Sequence, residues 1–281
     1  MNRTKIEYLT HTWNPIAMRC SRVSEGCRRC WHLSMADRLA QNPTMSDDRR
    51  QAYGGGAPVL FMDELTAPLR IRKPAVIGVQ FMGDLFHENV PNGFIRDVWQ
   101  AMTNAQQHTF IVLTKRPERM LHWYTRIWER EPLPNVIVGV SVEDQATADK
   151  RIPLLLQTPA ACRVVSFEPM LGHINLDDGV SSWLSCRNGE KQRSRNDGYC
   201  CESYAVAGEC YRGIDWVICG SESGPGARPM KIEWARSVKD QCVAAGVPLF
   251  YKQGPGDDGV VCGMPVLDGQ VWAQKPEREQ P

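Results

Sequence analysis

The chain has 281 residues, and 33 Lys+Arg against 32 Asp+Glu leave a formal charge of +1 with 42% hydrophobic residues. That length supports a substantial core in one large or two small domains, and near-neutral charge argues against a protein held on nucleic acid mainly by phosphate neutralisation. The opening segment MNRTKIEYLTHTWNP has no apolar signal core, and no apolar run approaches the ~18 residues that span a bilayer, so a soluble, cytoplasmic protein is expected. Eleven Cys is a high and odd count that fits poorly with full disulfide pairing, and clustered thiols in a reducing compartment point to metal.

In chain order, a weak strand is predicted around Tyr8 to Trp13, followed by Cys20-x6-Cys27-x2-Cys30 and an amphipathic segment carrying Leu33, Met35, Ala36 and Leu39. β-branched, apolar runs then predict strands at Val76 to Phe81, Thr109 to Leu113, Val136 to Val140, Arg163 to Phe167, Asp215 to Cys219 and Val247 to Tyr251. Helical spacing marks Asn92 to Gln106, where Phe94, Val98, Ala101 and Met102 share a face, and Ile232 to Ala245. Strands alternating with helices imply parallel pairing through crossovers. The fold class expected is α/β, a partial or full (β/α) barrel of about six or seven parallel strands in a single domain spanning 1–272. Residues 177–213, rich in Gly, Ser, Asn and charge, look like a Cys-containing insertion, and 273–281 like a flexible tail.

Each predicted strand ends in a polar cluster: Gly83-Asp84, Thr114-Lys115-Arg116, Ser141 to Asp144, Glu168, Ser221-Glu222-Ser223 and Lys252-Gln253. Any one of these reads equally well as an ordinary solvated loop. Their recurrence at one structural place, the strand C-termini that carry active sites in β/α barrels, favours a catalytic mouth. Ser141 and Glu143 also read as an N-cap pair for a helix starting near Gln145. The run Gly220 to Gly226, beside Arg228, offers backbone amides for an anion, although turns use the same residues.

Three cysteines within eleven residues suit three corners of a 4Fe-4S cluster with one iron left open. A structural zinc site would need a fourth ligand, for which His32 is at hand, and unligated thiols are the third reading. Cys186, Cys200, Cys201 and Cys210, all in the insertion, would either hold a second metal that orders it or remain free thiols. Cys162, Cys219, Cys242 and Cys262 sit in or beside apolar runs as small core residues.

The three-cysteine motif after the first strand, with β/α repeats and polar strand ends, resembles the radical S-adenosylmethionine superfamily. Thr12-Trp13-Asn14-Pro15, Gly83-Asp84-Leu85-Phe86-His87-Glu88, Leu113 to Pro117, Phe167-Glu168-Pro169-Met170 and Gly220 to Pro229 are similar to a phage-associated branch of it. The usual Cys-x3-Cys-x2-Cys spacing is lengthened here to a first gap of six, and Arg29 stands where an aromatic residue is usual. The resemblance implies that Cys20, Cys27 and Cys30 ligate a 4Fe-4S cluster whose open iron chelates S-adenosylmethionine. Gly83 and Asp84, in the place of a Gly-Gly-Glu segment with Met82 replacing its first Gly, would take the ligand's ammonium. Ser141 and Glu143 would hold its ribose or carboxylate, Ser221 would border the cofactor, and Glu168, Lys115 and Arg116 would face substrate. The implied activity is formation of a 5′-deoxyadenosyl radical that modifies or rearranges a nucleoside or DNA base, in the host cytoplasm if phage-encoded, with a reductant protein supplying electrons. Two other classes remain open. One is a non-catalytic zinc-binding protein that interacts with nucleic acid, and the other a barrel hydrolase using Asp84, Glu143 and Glu168.

Overall fold

Strands that pair in parallel are covered on both faces and therefore read as unbroken apolar runs, which is how these runs appear. The computed structural model describes residues 1–177, 183–184, 213–224 and 226–277. In chain order the elements are β1 (Asn2–Arg3), β2 (His11–Trp13), β3 (Ile16–Ala17), α1 (Trp31–Ala40), α2 (Asp47–Gly54), β4 (Val59–Leu60), β5 (Val76–Val79), α3 (Asn92–Asn104), β6 (Thr109–Thr114) and α4 (Pro117–Trp123). They continue with β7 (Val136–Ser141), α5 (Gln145–Gln157), β8 (Cys162–Phe167), β9 (Trp216–Gly220), α6 (Ile232–Ala245), β10 (Leu249–Pro255), β11 (Val261–Gly263), β12 (Val266–Leu267) and β13 (Gln270–Val271). Among the described residues nine strands form one sheet in the order β1-β2-β5-β6-β7-β8-β9-β10-β11. From β2 to β10 every neighbour is parallel, while β1 and β11 add antiparallel edges. The fold is thus α/β, built on a large, mostly parallel sheet.

Alternation along each strand divides the core in two. One set, including Ile77, Val79, Phe110, Val112, Val138, Val165, Phe167, Val217 and Tyr251, packs with Phe94, Ile95, Val98, Trp99 and Met102 of α3 and with α4, α5 and α6. The other set, Ile111, Ile137, Val164, Trp216, Ile218 and Phe250, packs with Tyr8 and Leu9. Tyr8 makes edge contacts with Trp216 and Phe250 at 5.8 and 5.6 Å between ring centres. This face leaves no room for side chains at two glycines. A Cβ on Gly139 would lie 2.2 Å from the Val164 carbonyl oxygen, and one on Gly78 would lie 2.6 Å from Leu9 Cδ1. Further along the same face, toward the strand C-termini, side chains turn polar at Ser141, Ser166 and Lys252.

Several sequence expectations change. The first strand covers only His11–Trp13, because Tyr8 and Leu9 serve as core packing on the sheet's second face. The cap of α5 is Asp144, whose carboxylate accepts from Thr147 N while the Thr147 side chain serves the Asp144 backbone, so Ser141 and Glu143 are not its caps. The expected tail is held to the sheet through Gln274: Ala273 bridges Phe250, Gln274 N donates to Leu249 O, and Trp216 Nε1 donates to Gln274 O, while 278–281 lie outside the described residues. Within the expected insertion, Trp183 and Leu184 are buried, and Leu184 bridges Ile214. Cys186, Cys200, Cys201 and Cys210 lie outside the described residues. No helix among the described residues is long and apolar enough to cross a membrane.

Candidate functional site

A cavity of about 570 Å³ lies over the C-terminal ends of the parallel strands. Cys20, Cys27 and Cys30 border it, as do Gly83, Asp84, Lys115, Arg116, Ser141, Glu168 and Ser221. Glu143 is fully buried and does not line it. Chain segments from the ends of seven parallel strands, β2 and β5 to β10, and from the loop that carries the three thiols therefore meet at one place, where the polar clusters led us to expect a mouth.

The six residues between Cys20 and Cys27 are a strap fastened at three points. At Ser21, Arg116 Nη2 donates to the hydroxyl at 2.6 Å and to the carbonyl at 3.3 Å, and the hydroxyl donates to Glu88 Oε1 at 2.9 Å. Ser21 N also donates to His87 Nε2 at 3.2 Å. At Ser24, the hydroxyl donates to Glu143 Oε1 at 2.9 Å, and Gly26 lies directly on that side chain, where a Cβ would come within 2.3 Å of Glu143 Cγ. At Glu25, the carbonyl accepts from Arg228 Nη2 at 3.0 Å. Cys30 then starts α1, its carbonyl accepting from Ser34 N.

Buried ion pairs hold the anchors. Glu143 pairs with Lys115 and, at 3.1 Å, with Arg151. Burial opposes its charge, but these two cations hold its carboxyl below the ordinary value of 4.5. Asp84, only 4% exposed, accepts from Phe86 N and Thr114 Oγ1 on one oxygen and from Lys115 N and Arg116 Nη1 on the other. Its acceptor capacity is filled by the chain itself, which removes it as a free acceptor for a ligand ammonium. Fully buried Leu85 and Phe86 anchor this turn from below, Phe86 packing edge-on to Trp99 and Trp123. Burial of two such side chains contributes roughly 3–6 kcal/mol at ~25 cal/mol per Å².

Arg228 is not free for an external anion, since it grips Glu222 through Nη2 at 2.6 Å and Nε at 3.0 Å. The far wall has more to offer. Glu168 Oε1 lies 3.3 Å from Lys252 Nζ yet makes no hydrogen bond, and the buried Ser221 hydroxyl has no partner. Ser166 Oγ donates weakly to Glu168 Oε2 at 3.5 Å.

Three thiols are the donors at hand for the metal that the resemblance implies. Among the described residues no three His, Cys, Asp or Glu side chains already converge on one metal position. Cys20, Cys27 and Cys30 are nevertheless free of disulfides and border one cavity, and a donor set of three thiols fits a thiophilic centre. Arg116 Nη1 donates to Cys20 Sγ at 3.6 Å. Burial, with the Asp84 carboxylate, pushes the Cys20 thiol up to about 12 against the pull of Arg116, so a metal must displace its proton. His32 also borders the cavity, 2% exposed, with neither ring nitrogen hydrogen-bonded, and burial pushes it down to about 4 despite the nearby Met18 backbone.

Sequence reasoning missed the anchors Ser21, Ser24, Glu88, Arg151 and the structural duty of Arg228. No curated protein and no solved structure matches the chain. A family model described as Protein of unknown function (DUF5131) matches residues 3–276, and the chain belongs to that family.

Proposed function

We propose that this protein is a radical S-adenosylmethionine enzyme built on a partial (β/α) barrel, with a 4Fe-4S cluster on Cys20, Cys27 and Cys30. The observation that carries the reading is that these three thiols, on one strapped loop, border the cavity over the polar ends of the parallel strands. A barrel is supported by the sheet's second face, which closes over Tyr8 and Leu9 as a packed core beneath the cavity. The cluster, when bound, would supply the single electron that cleaves S-adenosylmethionine to the hydrogen-abstracting 5′-deoxyadenosyl radical.

The chain's own residues do the rest. Cys20, Cys27 and Cys30 would hold the cluster by three thiolates, which would leave one iron for the amino and carboxylate groups of S-adenosylmethionine. Gly83, at φ +136°, brings its backbone to the cavity wall, where its carbonyl would accept from the ligand's ammonium. Ser141 and the unpartnered Ser221 hydroxyl would serve the ribose or carboxylate, while Lys115 and Glu168 would face substrate. Glu143 and Asp84 act through the strap and the strand-end turn instead of touching the ligand. The resemblance supplies the substrate class, a nucleoside or a base of DNA, and the requirement for a reductant protein.

His32 supports a second reading. A buried imidazole with two unpartnered nitrogens beside Cys30 would complete a Cys₃His zinc site in a non-catalytic protein that interacts with nucleic acid. Reconstitution with iron and sulfide under nitrogen, followed by metal analysis, separates the two. Iron and sulfide retained by the wild type and lost in Cys27→Ala support the enzyme. Tightly held zinc that excludes iron and is lost in His32→Ala overturns it.

A further inference from the structure

The turn after β6 places a charged hydrogen-bond donor against Cys20, where the proposed cluster would sit. Arg116, at the end of β6, uses all three guanidinium nitrogens: Nε donates to Glu88 at 2.9 Å, Nη2 to Ser21, and Nη1 to Asp84 at 3.0 Å and to Cys20 Sγ. A clamp for the strap alone would be complete with Ser21, Glu88 and Asp84. The fourth contact turns a cationic N–H onto the sulfur itself. Arg228, a second arginine on the same strap, binds a backbone carbonyl and a carboxylate instead.

We propose that Arg116 is a positioning residue that sets the reduction potential of the cluster through Cys20, an inference that rests on the cluster assignment above. Adding one electron makes the cluster more negative, and a nearby cation with an N–H aimed at a ligating sulfur stabilises that reduced form. The residue therefore raises the potential and makes the cluster easier to reduce. Its planar fork holds the geometry, since Asp84 fixes Nη1 from one side while Glu88 and Ser21 fix the other two nitrogens. Arg116 is 9% exposed, so the charge is poorly screened by water.

The test is an EPR-monitored redox titration of the anaerobically reconstituted chain. Arg116→Gln and Arg116→Met should shift the midpoint to more negative values, and Arg116→Lys, which keeps a charge without the fork, should fall between them and wild type. Arg228→Gln, which removes a cation and an anchor of the same strap without removing a sulfur contact, should shift the midpoint much less than Arg116→Gln does. Resonance Raman of the wild type in D₂O should show a shift in Fe–S(Cys) stretching that is diminished in Arg116→Lys, and this measurement decides the matter if the Gln and Met variants fail to fold or load. Equal potentials in loaded wild type and Arg116→Gln would overturn the inference, as would an equal shift in Arg228→Gln or a deuterium effect unaltered by Arg116→Lys. A wild-type chain that takes up no 4Fe-4S cluster would instead overturn the reading beneath it.

Discussion

Gly26→Ala is a one-methyl probe of how the strap is seated. The added Cβ would lie 2.3 Å from Glu143 Cγ, 2.5 Å from Oε1 and 2.6 Å from Cδ. Carbon atoms prefer about 3.5–4.0 Å, so the overlap exceeds ~1 Å and one side must move. Glu143 is poorly able to retreat, because Arg151, Lys115 and Ser24 hold its carboxylate, and breaking such a buried pair costs about 3–5 kcal/mol. Lifting the strap is cheaper, at the ~1–3 kcal/mol typical of overpacking, and it carries the neighbouring Cys27 with it. The variant should melt roughly 2–12 °C below wild type, taking ~2–4 °C per kcal/mol, and should retain much less iron after anaerobic reconstitution. Thermal denaturation and iron analysis on one preparation read both effects. A Gly26→Ala chain with wild-type melting and wild-type iron would refute the argument that the strap is seated on Glu143.

Glu143→Gln should lower stability by about 3–5 kcal/mol at pH 7, because it leaves buried Arg151 without its counter-ion. Because the folded carboxyl lies below its ordinary 4.5, its contribution is present above that value and lost as pH falls through the folded one. Denaturant titrations should accordingly show a smaller loss of stability below about pH 4.5 in Glu143→Gln than in wild type. Asp84→Asn should destabilise the reconstituted protein equally with and without S-adenosylmethionine, since its donors all come from the chain. If the ligand's own stabilising shift vanished in Asp84→Asn while the unliganded melting stayed put, Asp84 would be a ligand contact after all.

The parts legible in the sequence are those governed by local pattern. Ile232 to Ala245 matches α6 residue for residue, and the strand runs match within a few residues, because burial on both faces of a parallel sheet writes continuous apolar stretches. Strand-end polarity at Lys115, Ser141, Glu168 and Ser221 likewise marked the cavity wall. What stayed hidden depends on contacts between distant segments. Ser24 meets Glu143 119 positions away, and Ser21 meets Arg116 95 positions away, with no periodicity to announce either. An arginine that grips its own chain's carboxylate, as Arg228 does with Glu222, carries the same local signature as one awaiting an anion. The tail misled for a related reason: its polar composition says nothing of the backbone bonds Gln274 makes to Leu249 and Trp216.

The most direct test of the central claim is to add dithionite and S-adenosylmethionine to the reconstituted protein under nitrogen and measure 5′-deoxyadenosine, for wild type beside Cys27→Ala. The account predicts product from the wild type and none from the variant. An intact cluster that binds S-adenosylmethionine and yields no 5′-deoxyadenosine, or equal product from both proteins, would contradict it.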